Sequence, residues 1–456
     1  MIFNSPVFLF AFLPVVFALF WLARTKQQRY ILLTASGYIF YGYWDWRFCF
    51  LLLLSSLVSF TAGLAIEHAA SRRAKRAWMV GSISFDLAVL GFFKYYNFFA
   101  ANVQHLAPAA CLPHLHVLLP IGISFYTFHT ITYIADVAAG RVRPTHHLFE
   151  YLAYVSLFPQ LVAGPIVRFR QIEADLEHID RAPREDQQAR GLGFFVVGLI
   201  KKAVIADTIA RCIDPLLKAP AALSMTGAWL AALGYALQIY YDFSGYSDMA
   251  VGLGHLFGLR IPQNFNAPYR AEGLRDFWRR WHISLSTCLR DYLYIPLGGN
   301  RRGGLRTHVN LMITMLLGGL WHGANWTFVI WGAYHGVLLM IDRALEPWLQ
   351  RWPRALYRGA TFLLVLIGWV FFRSEHFTMA FTWLRAMCGW GGGAAGGGWT
   401  LWIMTILGLA AVAWAPETWD LRFGTTRRWV VLYALLFVAA YFFMHDRGAP
   451  FLYYQF

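Results

Sequence analysis

The sequence predicts an all-α, polytopic membrane protein, a helical bundle of about 10–12 crossings with re-entrant and interfacial helices. Two observations carry this. Hydrophobic residues make up 58% of the 456 and charged residues 14%, against about 25% charged in soluble domains, and the mean hydropathy is +0.46. Apolar runs near the ~20 residues that span a bilayer recur over 6–23, 29–44, 47–66, 77–100, 117–138, 191–213, 226–257, 358–373, 400–416 and 429–445. The run from Leu311 to Met340 adds either a re-entrant hairpin or two more passes.

Taken in order, the first run lies within Met1–Arg24, which has no early basic stretch and no small-residue cleavage site. It reads as a retained helix rather than a removed signal. The formal charge of +15 sits in short loops between apolar runs, with no aromatic-interleaved basic domain, so it describes membrane topology rather than nucleic-acid binding. Arg24–Arg29, Arg72–Arg76, Arg141–Arg143, Arg168–Arg190, Arg270–Arg306, Arg343–Arg358 and Arg422–Arg428 all face the cytoplasm if the N-terminus starts outside. The outer loop at 101–116 then holds no Lys or Arg, while Arg373 and Arg385 stand as exceptions. The mixed-charge stretch at 168–188 is expected as a cytoplasmic amphipathic helix on the bilayer surface. Gly389–Gly398 is expected as a flexible external loop, because so many glycines make a regular element entropically costly.

Residues 1–456 read as a single integral-membrane domain without internal repeats. Cys49, Cys111, Cys212, Cys288 and Cys388 are too scattered for a disulfide framework or a metal site and are expected as free thiols. No phosphate-binding loop, nucleophile elbow or zinc-helix motif occurs.

The chemistry concentrates in two places. His322 stands in Trp321-His322-Gly323-Ala324-Asn325-Trp326, inside an apolar run where an imidazole is costly without a role. His282 stands in Phe277-Trp278-Arg279-Arg280-Trp281-His282-Ile283-Ser284-Leu285-Ser286, within the most arginine-dense stretch. Moving an acyl group from sulfur to a hydroxyl needs a base for the hydroxyl proton and donors for the oxyanion, and a desolvated imidazole suits the first role. His282 or Asn325 could supply a donor. The competing reading of His322 is a core histidine satisfied by a carbonyl; the two tryptophans and the glycine around it favour an aperture in close helix packing.

With Tyr241-Asp242-Phe243-Ser244-Gly245-Tyr246-Ser247-Asp248, Asn264-Phe265-Asn266-Ala267-Pro268-Tyr269, Arg290-Asp291-Tyr292-Leu293-Tyr294-Ile295-Pro296-Leu297-Gly298-Gly299-Asn300-Arg301, Pro120–Phe128 and Phe158–Pro165 added, the chain resembles a membrane-bound O-acyltransferase (MBOAT) of the bacterial alginate O-acetylation type. The resemblance implies an MBOAT-like bundle with a central tunnel and a core over about 117–341. It also implies an acyltransferase of the inner membrane that moves an acetyl group from cytoplasmic acetyl-CoA, a substrate rather than a bound cofactor, for O-acetylation of an exported polysaccharide, alginate or a similar polymer. The implied partner is a periplasmic acetyltransferase or acyl-carrier protein, with the polysaccharide as indirect acceptor. His322 takes the place of the essential catalytic residue and His282 that of its companion. Cys288 departs from the pattern, where a bulky aromatic is expected.

Arg279, Arg280, Arg290 and Arg301 belong to a basic vestibule whose guanidinium forks suit the donor's phosphates. Positive-inside topology and contact with membrane lipid headgroups account for the same charges without a donor. Trp321, Asn325, Asp242 and Asp248 are expected as tunnel or supporting residues, the two aspartates pairing with nearby arginines. His129, His255 and His335 are expected as packing or interfacial residues, and no metal site is expected. A polysaccharide or lipid transporter, which would favour paired repeats with a broken helix in each half, and a non-enzymatic scaffold of an export complex are the competing functions.

Overall fold

Apolar runs too long for a strand have one way to satisfy their own backbone in a bilayer, and they fold as helices. The computed structural model describes residues 1–108, 112–182, 184–444 and 452, so Cys111 lies outside the described residues. Among those residues there is no β-strand, only an isolated bridge between Leu223 and Ala395. Contacts cluster into two units: 1–195 with 249–262 and 423–429, and 196–248 with 263–422 and 430–456.

In order, the first helices are α1 (Leu13–Leu22), α2 (Lys26–Gly42), α3 (Arg47–His68), α4 (Arg72–Leu90), α5 (Tyr96–Leu106), α6 (Ile123–Ala138), α7 (Leu148–Val155), α8 (Phe158–Leu161) and α9 (Phe169–Glu177). They belong to the first unit. A capping box starts α2, where the Thr25 side chain accepts from Gln28 N and Gln28 reaches back. Phe8, Phe12, Phe40, Phe158 and Phe257 form an aromatic cluster, with Phe12 and Phe158 edge to face at 5.4 Å and Phe158 and Phe257 at 5.7 Å. Two of the motifs dock on each other here. Gly122 adopts φ 79°, and a side chain there would meet Leu161 O at 2.6 Å. The stretch at 168–188 departs from the single helix expected. It folds as the short α9, with Phe169, Ile172 and Leu176 buried, and a turn before the next helix. Asp175, bound by Arg260 at 2.6 Å, and the Leu176 carbonyl, bound by Tyr30 at 2.8 Å, pin α9.

Then come α10 (Glu185–Ile200), α11 (Asp207–Leu217), α12 (Met225–Leu256), α13 (Leu274–Arg280), α14 (Ile283–Leu289), α15 (Gly304–His322), α16 (Trp326–Leu349), α17 (Arg354–Arg373), α18 (Phe377–Met387), α19 (Trp399–Trp414) and α20 (Arg427–Met444). The run expected as one span over 191–213 is interrupted by a π-helical turn at Lys201–Ala206, where two lysines in apolar surroundings turn toward carboxylates. Among the described residues, five helices are long and apolar enough to cross a membrane: Arg47–His68, Arg72–Leu106, Trp326–Leu349, Arg354–Arg373 and Arg427–Met444. Phe8–Leu22 and Trp399–Trp414 are shorter apolar helices. The other apolar runs form helices that fail this test on length, as α6 does with 16 residues, or on apolarity, as the uninterrupted 32-residue α12 does.

The segment around His322 resolves into the helical hairpin α15–α16. Its arms approach backbone to backbone. A Cβ on Gly319 would lie 2.2 Å from Phe328 O, and one on Gly332 would lie 2.3 Å from Met315 O, a small-residue seam of the kind membrane helices use. The glycine-rich segment is also seated rather than loose: Ser224 N donates to Ala395 O at 2.9 Å and Ala395 N to Ala222 O at 2.9 Å. Expected as flexible, it gains a partner because bare glycine backbone can lie directly against another chain segment.

Gly332→Ala is therefore expected to lower the thermal midpoint of the purified protein in detergent, on the scale of the ~1–3 kcal/mol that overpacking costs. Gly81→Ala in α4, where nothing lies within 4 Å, is expected to leave the midpoint unchanged or raise it. Equal midpoints for both variants would refute the seam.

Candidate active site

His322 is the last residue of α15, and Asn325 starts α16 by accepting from Thr327 N at 3.1 Å. Three residues between two long helices thus fix the imidazole at the turn of the hairpin. The ring is buried in aromatic edges: Trp321 at 4.9 Å, Phe372 at 5.1 Å, Trp331 at 5.2 Å and Phe328 at 6.5 Å between centroids. Asn325 Nδ2 donates to Glu375 O at 2.6 Å, so both ends of this amide hold the turn. Asn325 is a scaffold residue here, not a donor aimed at a reacting carbonyl.

His282 sits between α13 and α14 with φ 44°, a left-handed conformation that among the described non-glycine residues only Ala267 shares. Such strain persists where the surroundings over-determine it. Asn264 does so. Its carbonyl O accepts from Ile283 N at 2.9 Å, and its side-chain Oδ1 accepts from Ser284 N at 3.1 Å and Ser284 Oγ at 2.9 Å. Its Nδ2 donates to Ser247 Oγ at 3.2 Å. Since Oδ1 is thereby the acceptor, His282 Nδ1, 3.2 Å away, must carry the proton and donate, and Nε2 carries the lone pair. Phe243 meets this ring edge-on at 4.6 Å and Trp321 lies at 6.0 Å. Burial pushes the His282 imidazole down to about 3, so the ring is neutral at pH 7.

Trp321 therefore packs on both imidazoles. The arrangement can present a neutral ring nitrogen to a hydroxyl in a desolvated aromatic setting, which is what general-base help requires. Sequence reasoning quoted Asn264 within a motif and assigned it no task. The signal was available in its type, since an asparagine next to a strained turn can orient a neighbour through its backbone and side chain together.

Asp242 and Asp248 pair with lysines, not with the arginines expected. Lys202 Nζ lies 2.7 Å from Asp242 and 2.6 Å from Asp207, and Leu452 N donates to Asp242 Oδ2 at 3.0 Å. Lys201 Nζ lies 2.7 Å from Asp248, which also accepts from Thr418 Oγ1 at 2.7 Å. Both lysines belong to the π turn, whose proximity to α12 the sequence does not display. These buried pairs hold elements together and are not placed against either imidazole.

The vestibule is partly neutralised. Arg280 binds Asp276 at 2.9 Å and Arg290 binds Asp291 at 2.7 Å. Arg275 binds Asp342 at 3.3 Å and also Glu346, and Arg358 binds Glu272 at 2.6 Å. Arg279 is exposed and lines a cavity of about 320 Å³ with Arg275 and Arg354 and with the carboxylates Glu272, Asp276, Asp342 and Glu346. Arg301 is also exposed, in the turn after Gly298–Asn300. Of the four arginines, Arg279, Arg290 and Arg301 are exposed, and Arg279 lines this cavity. Cys288 is buried as a free thiol in α14.

A helical membrane protein with two buried imidazoles about one tryptophan is built as a membrane-embedded group-transfer enzyme. The chain belongs to the MBOAT, membrane-bound O-acyltransferase family, whose sequence model matches residues 38–381, and it is an acyltransferase. It is 47% identical over 403 residues to the probable alginate O-acetylase AlgI of Pseudomonas aeruginosa, covering 86% of this chain and 75% of that one. It is 37% identical over 425 residues to the peptidoglycan O-acetyltransferase of Helicobacter pylori, covering 86% and 80%. It is 28% identical over 281 residues to the teichoic acid D-alanyltransferase of Bacillus subtilis, covering 58% and 71%.

The lowered pKa of His282 gives a signed test. The unfolded chain binds this proton near pH 6.5 and the folded one only near 3, so the group's contribution to stability is lost as pH falls below 6.5. His282→Asn keeps a residue that tolerates positive φ. In reversible detergent unfolding it is expected to flatten the pH dependence between 6.5 and 5 by up to about 1.4 kcal/mol per pH unit. Parallel curves for parent and variant would show that the folded ring accepts the proton.

Proposed function

We propose that this protein is a membrane O-acetyltransferase that takes an acetyl group from cytoplasmic acetyl-CoA and delivers it across the inner membrane for O-acetylation of an exported polysaccharide, alginate or a close relative. The observation that carries the reading is His322 at the turn of the α15–α16 hairpin, sharing Trp321 with His282. The name of the Pseudomonas aeruginosa relative, at 47% identity, favours alginate over peptidoglycan, the acceptor in the name of the relative at 37%.

In this reading His322 acts as the base. It removes the proton of an acceptor hydroxyl, whose oxygen bonds to the thioester carbonyl carbon; the C–S bond breaks and the proton passes to the leaving thiolate. His282 lends its neutral ring as the second polar group of the site. Arg279, exposed and joined to no carboxylate among the described residues, supports a seat for the donor's phosphates, the carboxylates of its cavity being engaged by Arg275, Arg280 and Arg358. The acceptor hydroxyl belongs to a periplasmic acetyltransferase or acyl-carrier partner, or to the glycan itself.

The test is transfer of label from acetyl-CoA in proteoliposomes supplied with the periplasmic partner and polymer. His322→Ala at matched folding is expected to lower transfer by about 10²–10⁴, the range of general-base help. Equal transfer by parent and variant would return His322 to packing.

A further inference from the structure

Three basic side chains, Lys218, Arg373 and Arg385, stand where topology disfavours them. The positive-inside reading gives segments 214–225 and 374–399 to the outer face, together with the C-terminal end of α17. Lys218 and Arg373 therefore both oppose the rule. The structure brings them to one cavity of about 680 Å³, between the end of α11 and the α17–α18 connection, with Asp214, Glu375, His376 and Thr378 also in its wall. Arg373 is 16% exposed, its Nη2 lies 3.4 Å from Asp214, and its Nε is buried with no hydrogen-bond partner among the described residues. Lys218 is exposed, and its side chain is joined to no carboxylate among the described residues.

Two contacts link the wall of this cavity to the turn that holds the imidazole. Phe372, the neighbour of Arg373, packs on the His322 ring at 5.1 Å, and Glu375 O accepts from Asn325, three residues past His322. Two cations kept on the disfavoured side beside a base for hydroxyl groups point to a ligand with both negative charge and hydroxyls.

We propose that this cavity binds the acceptor as a short stretch of carboxylated, hydroxyl-rich sugar chain. Its carboxylates meet Lys218 and Arg373, and its hydroxyls meet Asp214, Glu375 and Thr378, which presents the chain on the His322 side. The inference rests on the acyltransferase reading above. A glycan fits better than a protein because the volume falls within the ~300–1,000 Å³ of small-ligand clefts. A stable protein interface needs about 800 Å² from each partner.

Binding is measured on the full-length protein in nanodiscs of neutral lipid, with a uronic-acid trimer and its neutral hexose counterpart as probes. The charged trimer is expected to bind about tenfold tighter than the neutral one, on the scale of one charge-assisted hydrogen bond, with an advantage that shrinks in high salt. Lys218→Gln, at an exposed position, and Arg373→Gln are each expected to remove most of that advantage, while His322→Ala keeps it. Equal binding of the two trimers, or an unchanged advantage in Lys218→Gln, overturns the proposal even where transfer still depends on His322. Association with a soluble partner protein that Lys218→Gln abolishes, without binding of either trimer, overturns it in favour of a protein acceptor. Loss of His322-dependent transfer with trimer binding intact would instead fault the catalytic reading.

Discussion

The backbone contact between α15 and α16 sets the position of every group at the site. With Gly319 against Phe328 O and Gly332 against Met315 O, the two arms are as close as helices come, and the three-residue turn between them has little freedom. His322 ends one arm and Trp331 stands on the other, so their 5.2 Å packing follows from the seam. Asn325 then ties the turn to Glu375 and so to the end of α17, which also supplies Phe372. A wider seam would move the imidazole relative to both aromatic walls at once.

A second constraint is the cost of polar groups inside an apolar bundle. Isolated charges are expensive there, and pairing offsets that only when the remaining valences are filled. Lys202 meets two carboxylates, and Asp248 meets an ammonium and a hydroxyl. The same economy governs His282: Asn264 consumes one ring nitrogen, and the three donors to its Oδ1 together with the Ser247 hydroxyl that accepts from its Nδ2 leave the amide no latitude. His282 and His322 are packed differently. Their neighbours are aromatic edges, which exclude water without imposing a charge.

Much of this was legible in the sequence because cost leaves a trace. A histidine inside the run from Leu311 to Met340 is conspicuous, and the structure gives it the burial the run implies. The strand-free, helical architecture followed from run length, and the boundaries of α2 and α3 lie close to those of the runs at 29–44 and 47–66. What was not legible depends on contacts between distant segments. Asp242 and Asp248 advertise a need for cations, but only the π turn at Lys201–Ala206 decides that lysines rather than the more numerous arginines answer it. The glycine-rich segment advertises flexibility, while its pairing with Ala222 and Ser224 is a property of the partner. Asn264 is the sharpest case: its neighbours in sequence are apolar or amide residues, and the histidine it orients lies eighteen positions on.

α16 also gives the site its direction. At 1.5 Å per residue its 24 residues extend about 36 Å, enough to cross the apolar layer alone. Its first residue follows the turn that holds His322. Asp342 and Glu346, near its other end, line the cavity that includes Arg279. Trp331, Asp342 and Glu346 are separated by eleven and four residues, close to whole turns of 3.6, and so share one face. A single stiff element thus joins the wall of the Arg279 cavity to the wall of His322, with the turn beside Glu375 at its far end. That helix fixes the distance between the two walls in covalent structure.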